Sequence, residues 1–206
     1  SVKGRVALTI DDGLCRSGRE RSLIQEVREL LKAHGATATF FICSDYTQGF
    51  EEEARQLLED GHEFGNHCPK DREYASLPAG EFEREFLDSN AVIERLGGQA
   101  VWFRAPQGRY SSAMRAATEK HGLRHALGDC YCDDWAIKDP VWIAETLSKL
   151  ARSGSIIILH MPERGFREHT LEALRQLLET LTARGLSAVT LSTLAELAEG
   201  NTRAAP

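Results

Sequence analysis

The chain has 206 residues, of which 42% are hydrophobic and 27% charged, and its formal net charge is −6. This length is sufficient to bury one substantial core, so we expect a single domain over residues 1–199 and a loose C-terminal tail at 200–206. No Lys/Arg-rich run suggests a nucleic-acid partner, and no apolar stretch reaches the length of a membrane span.

Apolar, β-rich runs alternate with amphipathic segments along the whole chain. The predicted strands are 5–10, 37–43, 100–103, 123–128, 155–160 and 186–190. The predicted helices lie near 20–34, 50–60, 80–97, 111–121, 139–152 and 167–184, with a last helix at 192–199. Such alternation implies parallel strands joined by helical crossovers, arranged either as a barrel or as an open sheet.

Polar side chains follow several of the predicted strands. Asp11 and Asp12 end the first strand, Arg104 ends V-W-F-R, and His160 ends I-I-I-L. In parallel α/β folds the functional side chains gather at the carboxyl ends of the strands. We therefore expect these residues to contribute to one functional site.

Asp11 and Asp12 are adjacent carboxylates at the end of an apolar run, and Gly13 follows them. Neighbouring residues on an extended backbone point to opposite faces, so one carboxylate can hold a metal while the other moves protons. Taken alone, the same residues also fit an exposed acidic turn.

The cysteines and the N-terminus bear on the cellular compartment. Five cysteines lie at positions 15, 43, 68, 130 and 132, so one stays unpaired whatever bridges form, which favours a reducing compartment. Residues 1–10 lack the basic start and long apolar run of a signal peptide, although a chain that begins at Ser1 is consistent with a leader having been removed. Localisation therefore stays open.

Five short segments carry a resemblance to a known family. They are T-I-D-D-G at 9–13, G-H-E-F-G-N-H at 61–67, F-R-A-P-Q-G-R-Y at 103–110, D-D-W at 133–135 and I-I-I-L-H at 156–160. Together, and in this order, they resemble the motifs of the polysaccharide deacetylase (NodB-homology) family, which is carbohydrate esterase family four. Five coincident motifs are far more specific than one.

The resemblance implies an α/β fold, namely a deformed (β/α) barrel of about seven parallel strands. It also implies hydrolysis of N-acetyl groups on a polysaccharide or oligosaccharide, assisted by a divalent metal. Zinc is the favoured ion, with manganese, cobalt or another divalent cation as alternatives. In this assignment Asp11 resembles the general base, and Asp12 and His67 resemble metal ligands.

The resemblance assigns the remaining roles to the later motifs. Arg104 would orient Asp11, His160 would be the general acid, and Asp134 would pair with His160. Trp135 and Ile158 would line the pocket for the acetyl methyl group. Two residues of the third motif, Gln107 and Tyr110, are assigned to substrate binding; Gln107 replaces a frequent aromatic, but its backbone N–H remains able to stabilise an oxyanion.

The chemistry of amide hydrolysis needs the same kinds of residue. A divalent cation can lower the pKa of a bound water from about 15.7 towards 7, and a carboxylate beside it can then take the proton. The leaving amine must be protonated, which an imidazolium can do at neutral pH.

One departure from the family pattern affects the metal site. The family's second motif usually reads H-S/T-x-x-H, whereas this chain has His67-Cys68-Pro69-Lys70-Asp71. Asp71 as the third ligand would make an oxygen-rich site that is less selective for zinc. Alternatively, the shorter Asp71 does not reach the metal and pairs with Lys70 or Arg72. Cys68 is expected to be inert packing.

The other histidines, His34, His121, His125 and His169, lie in or beside helical or strand runs without evident partners, and we expect structural or solvent-exposed roles for them. The sequence thus predicts a metal-dependent deacetylase of N-acetylated glycans. Two alternatives stay open: a hydrolase of another small amide, and a catalytically silent carbohydrate-binding or interaction protein on the same fold.

Overall fold

The computed structural model describes residues 2–202, with the backbone alone for residues 201 and 202. The strands are β1 (Arg5–Gly13), β2 (Thr39–Ile42), β3 (Glu63–Asn66), β4 (Trp102–Phe103), β5 (Arg124–His125), β6 (Ile156–His160) and β7 (Ser187–Val189). The helices are α1 (Ile24–Ala33), α2 (Glu51–Glu59), α3 (Ala79–Arg95), α4 (Ser112–Lys120), α5 (Pro140–Leu150), α6 (His169–Ala183) and α7 (Leu191–Thr202).

These strands form one seven-stranded sheet in the order β5-β4-β3-β2-β1-β6, and β7 pairs with β1. The β1–β7 pairing is parallel, with Val6 opposite Ala188, and so is the β4–β5 pairing, with Phe103 opposite His125. The predicted α/β architecture with about seven parallel strands is confirmed.

Strand β3 is the element that the hydrophobic pattern missed. It is four residues long and reads E-F-G-N, so it lacks the apolar, β-branched run that marks strands such as β1 and β6. It forms because it lies between β2 and β4 in the sheet. A Cβ at Gly65 would come within 2.6 Å of the Phe41 ring, so the close approach of the two strands requires glycine there.

The C-terminal helix is longer than predicted. Helix α7 continues to Thr202, so it includes residues 200–202 of the expected tail, and residues 203–206 lie outside the described part of the chain. No helix within residues 2–202 is both long and apolar enough to cross a bilayer.

Contacts between Cα atoms divide the chain into two compact units. Within residues 2–202, the first unit contains residues 2–10, 22–39 and 128–202, and the second contains residues 11–21 and 40–127. In the first unit, helix α6 packs against α5, and its buried face consists of Thr170, Ala173, Leu174, Leu177, Leu178 and Leu181. That apolar stripe fixes the position of the helix. Whether the chain behaves as one domain stays a prediction.

The second unit has an aromatic core beneath α3 and α4. Its buried residues are Cys68, Tyr74, Phe82, Phe86, Phe103, Ala105, Met114 and Ala117. The ring of Phe86 lies edge-on to that of Phe103 at a centroid distance of 5.4 Å, and Phe82 lies 5.7 Å from Phe86. This packing supports β4, whose end carries Arg104.

We expect Phe86→Ala to lower the free energy of unfolding by about 3–5 kcal/mol, because it removes a fully buried aromatic ring from a close-packed core. Leu87 is the matched control, since it is the next residue on α3 and is 38% exposed. Urea unfolding of Phe86→Ala and Leu87→Ala measures both effects. Equal losses in the two variants would contradict the assignment of Phe86 to the core.

Candidate functional site

The second unit brings four predicted site residues together at the carboxyl ends of its strands. Asp11 and Asp12 lie at the end of β1, His67 follows β3, and Arg104 follows β4. Each is at most 5% exposed. Buried charged groups are unfavourable unless they are paired, so their contacts indicate what holds them there.

Arg104 holds Asp11. Its Nη1 donates to Asp11 Oδ1 at 2.6 Å, and its Nε donates to the carbonyl oxygen of Ala126 at 3.2 Å. The guanidinium carbon also lies 4.1 Å from the centroid of the Phe41 ring, a cation–π geometry. These contacts fix the direction of the guanidinium and, through it, the orientation of the Asp11 carboxylate.

The imidazole of His67 is fixed by the backbone of Arg104. Its Nδ1 lies 2.8 Å from the Arg104 carbonyl oxygen. A carbonyl only accepts, so Nδ1 carries the hydrogen, and Nε2 is the nitrogen that faces the carboxylates. Nε2 lies 3.7 Å from Asp12 Oδ1 and 4.0 Å from Asp11 Oδ2.

This arrangement fits a cation better than a set of direct hydrogen bonds. The distances from Nε2 to the two carboxylates exceed hydrogen-bond range, which leaves space for a cation between these groups. Two donors on one zinc ion lie within about 4.4 Å of each other, because each is about 2.0–2.2 Å from the metal. A histidine that donates its other ring N–H to a carbonyl is also the usual form of a metal ligand. Asp12 and His67 could therefore supply two of the donors that a divalent ion requires.

No comparable arrangement supports a third metal ligand within residues 2–202. Among residues 2–202, no group of three or more His, Cys, Asp or Glu side chains is arranged to hold a metal ion. The backbone N–H of Asp71 donates to the Tyr46 hydroxyl at 3.3 Å, and the Asp71 charge contributes to raising the pKa of Cys43. Lys70 and Arg72, the alternative partners of Asp71, pair with Asp45 and Glu85 respectively. Metal ligation by Asp71 stays a prediction.

Two residues of this site were not singled out by the sequence. Cys43 follows β2, and its Sγ lies 3.8 Å from Asp12 Oδ1. Burial, and then the negative charge of Asp12, raise the pKa of the Cys43 thiol, so it stays protonated. Asn66 ends β3, and its Oδ1 accepts the Cys68 N–H at 2.7 Å. The strand-end rule places Cys43 at the end of β2 but does not show that it meets Asp12, and Asn66 is found only once β3 is known.

Backbone strain is concentrated beside these residues. Asp12, Cys68 and Gln107 have φ angles of 61°, 63° and 57°, in the left-handed region that side chains rarely occupy. Such conformations persist where the surrounding structure imposes them, and they cluster at functional sites. Cys68 is fully buried in the aromatic core, which confirms its expected packing role.

The substrate-binding candidates of the third motif have different environments. Gln107 is exposed in a short 3₁₀ turn, which the Gly108 N–H closes by donating to the Ala105 carbonyl at 3.1 Å. The Tyr110 ring stacks on His125, with centroids 3.6 Å apart and planes 4° apart. Burial, and then the charge of Arg104, lower the pKa of His125 to about 4, so this ring is neutral at physiological pH.

The first unit contains the other predicted pair. His160 Nδ1 donates to Asp134 Oδ1 at 2.8 Å, and the His160 backbone N–H donates to Asp134 Oδ2 at 2.9 Å. Asp134 is fully buried, while the His160 side chain is 21% exposed. Because Nδ1 is committed to Asp134, Nε2 is the nitrogen that can exchange a proton with a bound molecule.

Two more predicted residues lie in the first unit. Trp135 is 57% exposed. The Ile158 side chain lies against Gly128, where a Cβ would meet it at 2.5 Å. Glycine at 128 therefore allows Ile158 to occupy that space.

Three of the remaining histidines, for which structural or solvent-exposed roles are expected, have partners that the sequence does not show. His121 Nε2 pairs with Glu83 at 2.6 Å, His125 stacks on Tyr110, and His169 Nε2 lies 2.8 Å from the Asp134 carbonyl oxygen. These partners lie far away in sequence or on another element, so no local pattern reveals them.

Comparisons with known proteins agree with this arrangement of motifs. The chain is 31% identical over 192 residues to a peptidoglycan-N-acetylglucosamine deacetylase of Bacillus cereus, covering 92% of this chain and 87% of that protein. It is 30% identical over 201 residues to a chitooligosaccharide deacetylase of Azorhizobium caulinodans, covering 88% and 90%. The solved structure of the peptidoglycan deacetylase PdaC from Bacillus subtilis superposes with a TM-score of 0.86 at 25% identity, covering 97% of this chain and 94% of that chain.

The same fold also occurs in a pseudoenzyme. A carbohydrate esterase family four pseudoenzyme from Bacillus anthracis has a TM-score of 0.81 at 21% identity, covering 93% of this chain and 65% of that chain. The family model described as polysaccharide deacetylase matches residues 1–126. With that match, the identity to curated relatives and the five motifs in order, the chain belongs to the polysaccharide deacetylase family.

Proposed function

We propose that this protein hydrolyses N-acetyl groups of an N-acetylated polysaccharide or oligosaccharide, with Asp11 as the base and His160 as the acid. The observation that carries the proposal is the buried cluster in which Arg104 holds Asp11 beside Asp12 and His67. The relatives named above as deacetylases of peptidoglycan and chitooligosaccharides support the substrate class.

The base half of the reaction uses the second unit. Asp11 takes a proton from the attacking water, and Arg104 keeps the carboxylate in place and stabilises its negative charge. Asp12 and His67 would hold a divalent cation, which when bound acidifies the water and polarises the acetyl carbonyl. The Gln107 N–H is our candidate donor to the oxyanion.

The acid half uses the first unit. Once the carbonyl carbon carries the new C–O bond, the C–N bond breaks only if the departing nitrogen is protonated. His160 supplies that proton from Nε2, and Asp134 stabilises the cationic ring through the Nδ1 hydrogen bond. One amide and one water are consumed, and one acetate and one free amine on the sugar are formed, so the atoms balance.

A panel of N-acetylated substrates tests the proposal. Purified protein, made metal-free and then supplied with zinc, manganese or cobalt, is incubated with N-acetylchitooligosaccharides and with peptidoglycan fragments, and released acetate is measured. Release that needs the added metal supports the proposal. Absence of acetate with every metal and substrate would favour a second candidate, a catalytically silent carbohydrate-binding protein. That candidate is supported by the finding that, within residues 2–202, no three His, Cys, Asp or Glu side chains are arranged to hold a metal ion.

The ligand set gives a separate prediction. If Asp71 is the third ligand, Asp71→Ala should weaken zinc binding to the metal-free protein, and Asp71→His should tighten it, because a neutral imidazole restores the family's ligand set. Calorimetric titration with zinc and with manganese measures both changes. An Asp71→Ala variant that binds zinc as tightly as the parent would remove Asp71 from the site. Asp45→Ala is the control, since Asp45 pairs with Lys70 on the same segment.

A further inference from the structure

We infer that His169 is a positioning residue for the proposed acid: it holds Asp134, and through Asp134 it holds the imidazole of His160. This inference rests on the proposed role of His160 and extends it to a residue that no motif contains. The contact that carries it is the hydrogen bond from His169 Nε2 to the Asp134 carbonyl oxygen, at 2.8 Å. A carbonyl only accepts, so His169 must carry its hydrogen on Nε2.

The surroundings of Asp134 explain why such a hydrogen bond is needed. Asp134 is the only buried residue in the segment 131–140, and its neighbours Asp133 and Trp135 are both exposed. No other side chain of the segment is buried with Asp134 to hold it in place. Hydrogen bonds must hold it instead.

The side chain of Asp134 is already fully committed to His160. Oδ1 accepts from His160 Nδ1 and Oδ2 accepts from the His160 backbone N–H, at 2.8 and 2.9 Å. The backbone of Asp134 provides a further point of anchoring. The Asp134 N–H hydrogen-bonds to Cys132, which lies only two residues away in the same segment. The Asp134 carbonyl oxygen, by contrast, contacts His169, which belongs to helix α6.

The anchor itself is rigid. His169 is the first residue of α6, whose buried face includes Thr170, Ala173 and Leu174. The turn before the helix is closed by the Thr170 N–H, which donates to the Arg167 carbonyl at 2.9 Å. A packed helix therefore fixes His169, His169 fixes the Asp134 backbone, and both carboxylate oxygens then fix the acid.

The test uses a matched pair of variants, His169→Leu and His169→Gln. Leucine has a similar volume but no donor, whereas the glutamine amide nitrogen reaches about as far as the imidazole Nε2 and can donate to the same carbonyl. The first measurement is the proton NMR resonance of His160 Nδ1–H, assigned by its loss in His160→Ala. We expect it to be slow to exchange in the parent and in His169→Gln, and to broaden in His169→Leu.

The second measurement is turnover on two substrates. An N-acetylated oligosaccharide needs acid assistance, because its leaving group is an amine, whereas 4-nitrophenyl acetate loses a stable anion and does not. His169→Leu should lower kcat on the glycan about 10–100-fold, the usual effect of removing an outer hydrogen-bond partner, with KM little changed. It should affect the ester much less, and His169→Gln should restore most of the glycan activity. In a His160→Ala background, adding His169→Leu should cause no further loss.

Several results would overturn the inference. These are an unchanged His160 resonance in His169→Leu, an equal loss of activity on both substrates, or an additive loss in the double variant, since each would mean that His169 acts on the fold and not on the acid. If the parent releases acetate from neither substrate, the proposed function fails, and the NMR measurement alone still decides whether His169 positions His160.

Discussion

Asp11→Asn is expected to lower turnover on N-acetylated glycans by about two to four orders of magnitude, the usual cost of losing a positioned general base. Asparagine keeps an oxygen that can accept from Arg104, so the buried contact of 2.6 Å can persist while the basic group is lost. Metal content, measured by elemental analysis, should change little, because Asp12 and His67 remain.

This variant also predicts a substrate pattern. The base acts on the attacking water, which every acetyl substrate requires, so 4-nitrophenyl acetate hydrolysis should fall along with glycan deacetylation. Glu53→Gln is a control, because Glu53 is a carboxylate of the same unit that pairs with the exposed Arg19. Unchanged turnover in Asp11→Asn would exclude Asp11 as the base, and a large loss of bound metal would make it a ligand instead.

His160→Ala is expected to lower glycan turnover by a similar factor of about 10²–10⁴, because the departing amine then lacks its proton donor. The ester should be hydrolysed nearly as fast as by the parent, since its leaving group needs no proton. Asp11→Asn and His160→Ala should therefore differ in their ester activity although they share a glycan defect. Parallel kinetics on the two substrates make this comparison.

His160→Ala should affect stability less than turnover. The side chain is 21% exposed, so its truncation removes part of a buried surface, and Asp134 Oδ1 loses its donor, which costs about 1–3 kcal/mol. Thermal unfolding of the variant checks this. A variant that fails to fold would mean that the pair is mainly structural, and equal losses on glycan and ester would argue against an acid role.

The candidate site residues could be predicted from the sequence where they lie at the ends of strands. Asp11, Asp12, Arg104 and His160 each end an apolar run, and the structure finds each at a strand end. His67 was found by its motif although its strand, β3, has no hydrophobic pattern. The roles of all these residues, and the metal, stay predictions.

Other parts of the site could not be predicted, because their partners are distant in sequence. His169 lies 35 residues from Asp134, and Cys43 lies 31 residues from Asp12. In the sequence, His169 lies near the start of a predicted amphipathic helix, and Cys43 lies at the end of a predicted buried strand. Neither pattern indicates that the side chain meets a functional carboxyl or its backbone.

The sequence by itself determined the α/β class, the order of most elements and the family, because hydrophobic periodicity and short motifs are local properties of the chain. The tertiary structure alone decided that β3 exists, that Lys70 and Arg72 pair with other carboxylates than Asp71, and that His169 Nε2 contacts the Asp134 carbonyl oxygen. These features depend on which elements become neighbours. Asp11 and Arg104 are 93 residues apart and meet only because the sheet brings the ends of β1 and β4 within reach of one guanidinium.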